Sequence, residues 1–296
     1  MEKFFNTEGP MIAEDHYIID PLTRFELDEI ERLITRKRYF ILHAPRQVGK
    51  TSYLLALMDH LNAQGKVRCL YVNVEGAQAA RENVADAMQA ILNEIAVSAS
   101  DHLKDNYPKE HNVEILKTAG PFSALSTLLS QWSEVSPLPL VLFIDEVDAL
   151  IGDTLISVLR QLRAGYYKRP NHFPQSVILC GIRDVRDYRI HSIREKEIIT
   201  GGSAFNIKAK SLQMESFTHE DVRVLYQQHT DETGQNFTED ALEQVWQLTK
   251  VAHWLAWSAF FSPTLIRNCC CAARKWRQLH CCQQDLLRYI MHSKEK

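Results

Sequence analysis

The stretch HAPRQVGKT, His43 to Thr51, decides the fold of this chain. An apolar run at residues 39–42 precedes it and an amphipathic segment at residues 52–61 follows it, so the order is strand, tight loop, helix. In such a loop the backbone N–H groups point inward and the helix N-terminus adds positive charge, which together cradle phosphate groups. Lys50 then reaches the β- and γ-phosphates of a nucleotide, and Thr51 holds Mg²⁺. The sequence therefore predicts a nucleotide-binding loop.

The loop departs from the usual G-x-x-x-x-G-K-[ST] pattern at its first position, where Ala44 replaces glycine. Alanine fits this position if its φ angle is negative, so the pattern is weakened but kept. The alternative is a chance Gly-Lys-Thr at a helix start. The predicted binding residues are those of the loop and the one that follows it, namely Ala44, Pro45, Arg46, Gln47, Val48, Gly49, Lys50, Thr51 and Ser52. Arg46 is expected to face solvent rather than to take part in catalysis.

Composition places the chain among ordinary soluble globular proteins. Its 296 residues suggest one large or two small domains, with 24% charged and 45% hydrophobic residues. The net charge of −3 gives no electrostatic reason to expect nucleic acid as the main partner. No apolar run is long enough to span a membrane, and the N-terminus lacks the apolar core of a signal peptide. We expect a cytoplasmic protein.

Apolar runs separated by helical patterns predict an α/β fold with a mainly parallel sheet covered on both faces. Strands are predicted near residues 38–43, 67–74, 140–144 and 176–182, and helices near 22–35, 52–65, 81–98, 122–134, 153–167, 219–229 and 238–249. Residues 99–120 are polar and weakly patterned, and the strand signal fades after about 211. At Thr218 and Asp221 we predict a capping box. The predicted domains are an N-terminal segment with an adenine-side helix (1–36), a core (37–210), a helical lid (211–250) and an atypical tail (251–296).

A second motif predicts that the bound nucleotide is hydrolysed. Four apolar residues precede Asp145 and Glu146, so both carboxylates lie at the end of a predicted strand. Asp145 would support the Mg²⁺ opposite Thr51, and Glu146 would orient or deprotonate a water beside the γ-phosphate. The alternative is an acidic pair that begins a turn. The phosphate loop about a hundred residues earlier, and the strand that precedes the pair, favour the catalytic interpretation.

Three arginines are candidates for contacts to the γ-phosphate. Arg183 closes the fourth predicted strand, where a guanidinium would sense the γ-phosphate, or else lie solvated beside Arg186 and Arg189. Arg160 and Arg163, on the helix after Asp145-Glu146, are expected on a solvent-exposed face. Their alternative role is as fingers that reach the site of another subunit in an oligomer.

The chain resembles the P-loop ATPases of the additional-strand, catalytic-glutamate division, and within it the AAA-like and STAND-type ATPases of bacteria and archaea. Residues Ala44–Thr51 (Walker A), Leu140–Glu146 (Walker B) and Ile178–Arg183 carry this resemblance, which covers about residues 5–250. It implies a three-layer P-loop fold with a helical lid, ATP and Mg²⁺ as cofactors, hydrolysis, and movement between core and lid. Residues 19–24 occupy the place of the adenine-contacting segment but match it only loosely. The sequence contains no guanine-reading Asn-Lys-x-Asp motif.

The family pattern breaks after residue 250. Val251-Ala252-His253 stands where a G-x-P turn is expected, and the last 46 residues hold five of the seven cysteines and three of the five tryptophans. One interpretation is a Cys/His metal site, although paired cysteines fit zinc poorly. A second is a basic, aromatic tail that binds nucleic acid or a partner. We favour a third, a tail translated from a shifted reading frame that leaves the lid truncated. If neither other frame of the gene restores a Gly-x-Pro continuation, this third interpretation is wrong.

We therefore expect an ATPase that acts as a molecular switch or remodeller, with an unidentified protein partner, a homo-oligomeric assembly and no membrane. The alternative from another class is an ATP-binding interaction module with negligible turnover because its lid is incomplete. A P-loop small-molecule kinase is disfavoured, because Asp145 and Glu146 lie on a strand separate from the phosphate loop. DNA binding stays open but gains no support from the acidic core.

Overall fold

The computed structural model describes residues 3–6, 11–46, 48–184, 189–192, 197–200, 205–215 and 217–249. The chain divides into two compact units, which we name the core unit (Asp20–Glu215) and the second unit (Met1–Ile19 with Ser216–Lys296). The atypical tail at 251–296, including its cysteines and the Val251-Ala252-His253 turn, lies outside the described residues.

A parallel five-stranded sheet forms the centre of the core unit. Its strands follow the order β2-β3-β4-β1-β7, and every neighbouring pair is parallel. They are β1 (Tyr39–His43), β2 (Arg68–Asn73), β3 (Leu140–Asp145), β4 (Ser176–Gly181) and β7 (Lys208–Gln213); β5 (Arg189–Ser192) and β6 (Glu197–Thr200) form a separate antiparallel pair. The predicted α/β fold is confirmed.

Helices cover both faces of the sheet. Side chains alternate between two hydrophobic cores, as Tyr39 and Phe40 of β1 show by lying in different ones. Both faces are therefore buried, which explains why the strands read as continuous apolar runs. One face packs against α3 (Val84–Leu103), α4 (Tyr107–Ala119), α5 (Ala124–Val135) and α6 (Gly152–Gly165), and the other against α1 (Leu27–Thr35) and α2 (Lys50–Ala63).

Some elements differ from the sequence prediction. Helix α4 lies in a segment for which the sequence predicted no helix. Its apolar pattern is weak because it buries only Pro108, Asn112 and Ile115, two of which are not typical core residues. Strand β7 begins at Lys208, and most of its described side chains are exposed or half-buried, so its sequence lacks the apolar run expected of a strand. It crosses residue 210, where the sequence analysis sets the end of the core, and pairs with β1 as far as Gln213. The domain limits stay predictions.

The second unit has a small hydrophobic core of its own. Two helices, α7 (His219–Thr233) and α8 (Glu239–Thr249), contribute Leu225, Tyr226 and Val245 to it, and the N-terminal segment contributes Phe5 and Tyr17. The predicted capping box begins α7. The side-chain hydroxyl of Thr218 accepts a hydrogen bond from the Asp221 N–H, and the Asp221 carboxylate accepts one from the Thr218 N–H. Within the described residues, none of the helices has the length and apolar character needed to cross a membrane.

Candidate active site

The phosphate loop joins β1 to α2 at the carboxyl edge of the sheet. Gly49 has a φ of 89°, in the left-handed region that favours glycine, and α2 begins at the next residue. Ala44 is fully buried and its N–H donates to the Gly181 carbonyl at 3.2 Å. The non-glycine residues with positive φ in the described chain do not include Ala44, so it meets the condition that the sequence analysis set.

The remaining loop residues divide by exposure. Pro45 and Arg46 are exposed, Val48 is buried, and Ser52 is partly exposed on the first turn of α2. Gln47 lies outside the described residues. The described part of the loop therefore combines a buried apolar side chain, Val48, with two exposed residues, Pro45 and Arg46.

Lys50 lies almost fully buried at the start of α2, with 7% of its surface exposed. Its Nζ donates to the carbonyl oxygens of Ala44 (3.1 Å) and Pro45 (2.9 Å), so the side chain folds back along the loop. A buried ammonium needs such partners, because an unpaired charge removed from water is costly. The geometry keeps a cation beside the backbone that would cradle phosphates.

Asp145 is fully buried at the end of β3, where its carboxylate accepts hydrogen bonds. Its Oδ2 accepts from Thr51 Oγ1 at 2.9 Å and from the Tyr71 hydroxyl at 3.0 Å, while its Oδ1 accepts from the Glu146 N–H at 2.9 Å. The two predicted metal ligands, Thr51 and Asp145, are thus in contact. Hydroxyl and carboxylate oxygens are the hard ligands that Mg²⁺ prefers, so this pair fits the ion.

Glu146 adopts a left-handed backbone conformation, with φ 56° and ψ 38°. For a residue other than glycine this conformation costs about 1–2 kcal/mol and is found most often at functional sites. Burial raises the pKa of Glu146 and the charge of Asp145 raises it further, against the opposing charge of Lys50. A carboxyl group with a raised pKa is a better proton acceptor, which suits a general base.

The sequence analysis missed three side chains at this edge of the sheet. The Tyr71 hydroxyl on β2 and the Cys180 thiol on β4 both contact the Asp145 carboxylate, and burial raises the pKa of each. The third is Asp148, in the 3₁₀ turn Val147–Ala149 directly after Glu146, which accepts the backbone N–H of Ile182. The sequence does not distinguish Tyr71 from other tyrosines within strands, such as Tyr39.

The three arginine candidates are all exposed. Arg183 is exposed two residues beyond β4, and no hydrogen bond or ion pair joins it to the described part of the chain. Arg160 and Arg163 are both exposed on α6. Arg186 and the side chain of Arg189 lie outside the described residues. The structure therefore brings together Lys50, Thr51, Asp145 and Glu146, but not Arg183.

Known proteins support the fold. The family described as AAA domain matches residues 32–188. The Walker-type ATPase PABY2304 of Pyrococcus abyssi is 17% identical with a TM-score of 0.51, over 89% of this chain and 71% of that one. Cdc6p from Pyrobaculum aerophilum is 16% identical with a TM-score of 0.53, over 85% and 62%.

A crystallised DNA replication initiation factor is 15% identical, with a TM-score of 0.44, and this chain covers 56% of it. The chain thus spans less than two thirds of the replication factor and of Cdc6p. No curated protein matches the sequence. Identities this low support the fold alone, but the family match covers more than half of the 296 residues. The chain therefore belongs to the AAA domain family, and its core is a P-loop ATPase domain of the AAA type.

Proposed function

We propose that this protein binds ATP together with Mg²⁺ and hydrolyses the γ-phosphate. One observation carries the proposal: Thr51 at the start of α2 contacts the buried carboxylate of Asp145, with Lys50 and Glu146 as their neighbours in the chain. These four residues supply a phosphate-binding cation, a pair of metal ligands and a base at one edge of a sheet. Positioning and charge neutralisation are the main requirements of phosphoryl transfer.

Each residue has a defined role in this proposal. Backbone N–H groups of the phosphate loop bind the phosphates, and Lys50 exchanges its contacts with the loop carbonyls for contacts to phosphate oxygens. Thr51 and Asp145 hold Mg²⁺, which supplies positive charge to the phosphate oxygens when bound. Glu146 takes the proton of the attacking water, and its raised pKa supports this role. Arg183 senses the γ-phosphate.

We further propose that nucleotide turnover makes the protein a molecular switch or remodeller of the STAND type, with residues 211–250 as its helical lid. Partner binding and homo-oligomer formation belong to this proposal, as does a trans-acting role for the exposed Arg160 or Arg163. Small-angle scattering and sedimentation with ATP, with ADP and without nucleotide would test it. An unchanged scattering curve and sedimentation coefficient in all three states would contradict a nucleotide-driven switch.

Calorimetric titration of the full chain with Mg²⁺·ATP tests the binding site. We expect binding by the wild type and its loss in Lys50→Ala, because the variant lacks the cation that faces the phosphates. Lys109→Ala is a matched control, since Lys109 is exposed on α4. A folded wild type that binds no nucleotide, or a Lys50→Ala variant that binds equally well, would refute the site.

Steady-state hydrolysis tests the chemistry. Removal of a general base lowers the rate by about 10²- to 10⁴-fold, so Glu146→Gln should hydrolyse ATP far more slowly than the wild type while still binding it. Glu110→Gln, an exposed change on α4, is the control. Equal and negligible turnover by wild type and Glu146→Gln would instead favour an ATP-binding interaction module.

A further inference from the structure

Asp148 connects the turn after Glu146 to the end of strand β4. It lies in the 3₁₀ turn Val147–Ala149 and is half-buried. Its Oδ2 accepts the backbone N–H of Ile182, the residue directly before Arg183. Asp148 accepts its own backbone N–H, as aspartates in turns commonly do, and in addition it reaches the residue that follows β4.

Close packing at Gly181 also constrains the end of β4. A methyl group at Gly181 would lie 2.4 Å from Asp148 Oδ2 and 3.0 Å from Val147 Cγ1, so the close approach requires glycine. The Gly181 carbonyl also accepts the N–H of Ala44 at the start of the phosphate loop. The backbone at residues 181–182 is therefore held from two sides, by the loop and by Asp148.

The Asp148 carboxylate lies against residues 181–182, at the carboxyl edge of the sheet where we propose that nucleotide binds. Burial raises its pKa, while the Ile182 N–H and the charges of Lys50 and Arg46 act against this rise. Arg183, by contrast, has no side-chain partner in the described part of the chain that would fix its direction.

We propose that Asp148 is a positioning residue for Arg183: by holding the Ile182 N–H, it fixes the backbone from which the guanidinium extends toward the γ-phosphate. The inference rests on the proposed function, since it assigns Arg183 to the γ-phosphate. Arginine beside a transferring phosphoryl group stabilises the charge that develops there, and a misplacement of about 1 Å costs about 10²-fold in rate. Loss of the Asp148 bond then lowers kcat and the preference for ATP over ADP. Binding of ADP, which lacks the γ-phosphate, stays unchanged.

A double-mutant cycle on the full chain tests this inference. Four variants are compared with the wild type, Asp148→Ala, Asp148→Asn, Arg183→Ala and the double alanine variant, with Asp101→Ala as an exposed acidic control on α3. Measurements are kcat and KM for Mg²⁺·ATP hydrolysis and the Kd for ADP by calorimetry. We expect Asp148→Ala to lower kcat about 10- to 100-fold with the ADP Kd within about twofold. Asp148→Asn keeps an oxygen acceptor for the Ile182 N–H and should stay within about threefold of wild type.

In the Arg183→Ala background, Asp148→Ala should lower kcat no further, because the guanidinium that Asp148 positions is already absent. Gly181→Ala gives a second route, since the new methyl group displaces the Asp148 carboxylate and should reproduce the loss of kcat. If Asp148→Ala does not fold, the kcat of Gly181→Ala tests the inference in its place.

Three results would overturn the inference and leave ATP hydrolysis intact. These are additive losses from the Asp148 and Arg183 changes, a weaker ADP affinity that matches the loss of kcat, and normal turnover by Arg183→Ala while Lys50→Ala is inactive. A wild type that neither binds nor hydrolyses ATP would overturn the proposed function and this inference together.

Discussion

Replacing Tyr71 by phenylalanine removes one hydroxyl from the buried surroundings of Asp145. The ring stays in place, so the change deletes a hydrogen bond of 3.0 Å without creating a large cavity. Asp145 is fully buried and keeps its contacts with Thr51, the Glu146 N–H and the Cys180 thiol. The perturbation therefore measures how much a donor on β2 stabilises the carboxylate at the end of β3.

The expected magnitude follows from the acceptor. A hydrogen bond to a charged group contributes about 1.5–3 kcal/mol to stability, and a neutral one about 0.5–1.5 kcal/mol. Tyr39 supplies the matched control, because it is also fully buried in the core unit and its hydroxyl donates to the neutral carbonyl of Pro174 at 3.1 Å. Tyr71→Phe should therefore lower the free energy of unfolding by roughly twice as much as Tyr39→Phe.

Urea unfolding without nucleotide, monitored by circular dichroism, gives the free energy of unfolding of both variants. With a slope of about 3 kcal/mol per molar urea, Tyr71→Phe should move the midpoint by about 0.5–1 M. A double variant with Asp145→Asn should show a coupling energy, because the two side chains share one bond. If Tyr71→Phe costs no more than Tyr39→Phe, or if the changes are additive, the buried carboxylate does not depend on Tyr71 and our account of the site is wrong.

Three further predictions concern other parts of the chain. Gly49→Ala places a side chain at a φ of 89° and should cost about 1–2 kcal/mol and weaken ATP binding in calorimetry, whereas Gly76→Ala, which has open space around it, should change neither. Burial acts to raise the pKa of Asp105, but hydrogen bonds, including that from Arg68, outweigh it and lower the pKa. The lowered pKa stabilises the fold at pH values above the ordinary pKa of 3.8, and this stabilisation is lost as the pH falls through the pKa of the folded state. Asp105→Asn should therefore weaken the decrease of the urea midpoint at acid pH. An unchanged decrease would contradict this prediction. Thr218→Ala removes a helix cap and should cost about 0.5–2 kcal/mol, seen as faster amide exchange in the first turn of α7.

The sequence predicts the centre of the sheet well and its edge poorly. Strands β1 to β4 are buried on both faces, so their apolar runs mark them within about two residues. Within the described residues strand β7 pairs with β1 alone, and Lys208 and Lys210 interrupt its apolar character. A strand at an edge needs backbone partners more than apolar side chains, so composition alone does not reveal it.

The active-site residues divide in the same way. Lys50 is visible from the Gly-Lys-Thr motif, and Asp145 and Glu146 are visible because they directly follow an apolar run. The role of Asp148 depends on a backbone N–H from another strand, and a backbone group leaves no trace in side-chain identity. Tyr71 is hidden for a different reason, since tyrosine is common in strand cores and the partner of its hydroxyl lies on another strand.

The position of β1 in the sheet has a consequence for synthesis on the ribosome. β1 is the first strand of the sheet in chain order, yet it lies between β4 and β7, which begin only at Ser176 and Lys208. Until those strands emerge, both edges of an apolar strand remain unpaired, and such edges recruit other chains. Nascent or shortened chains that end before Gln213 should therefore aggregate or require a chaperone, and any fragment made for study should extend through Glu215.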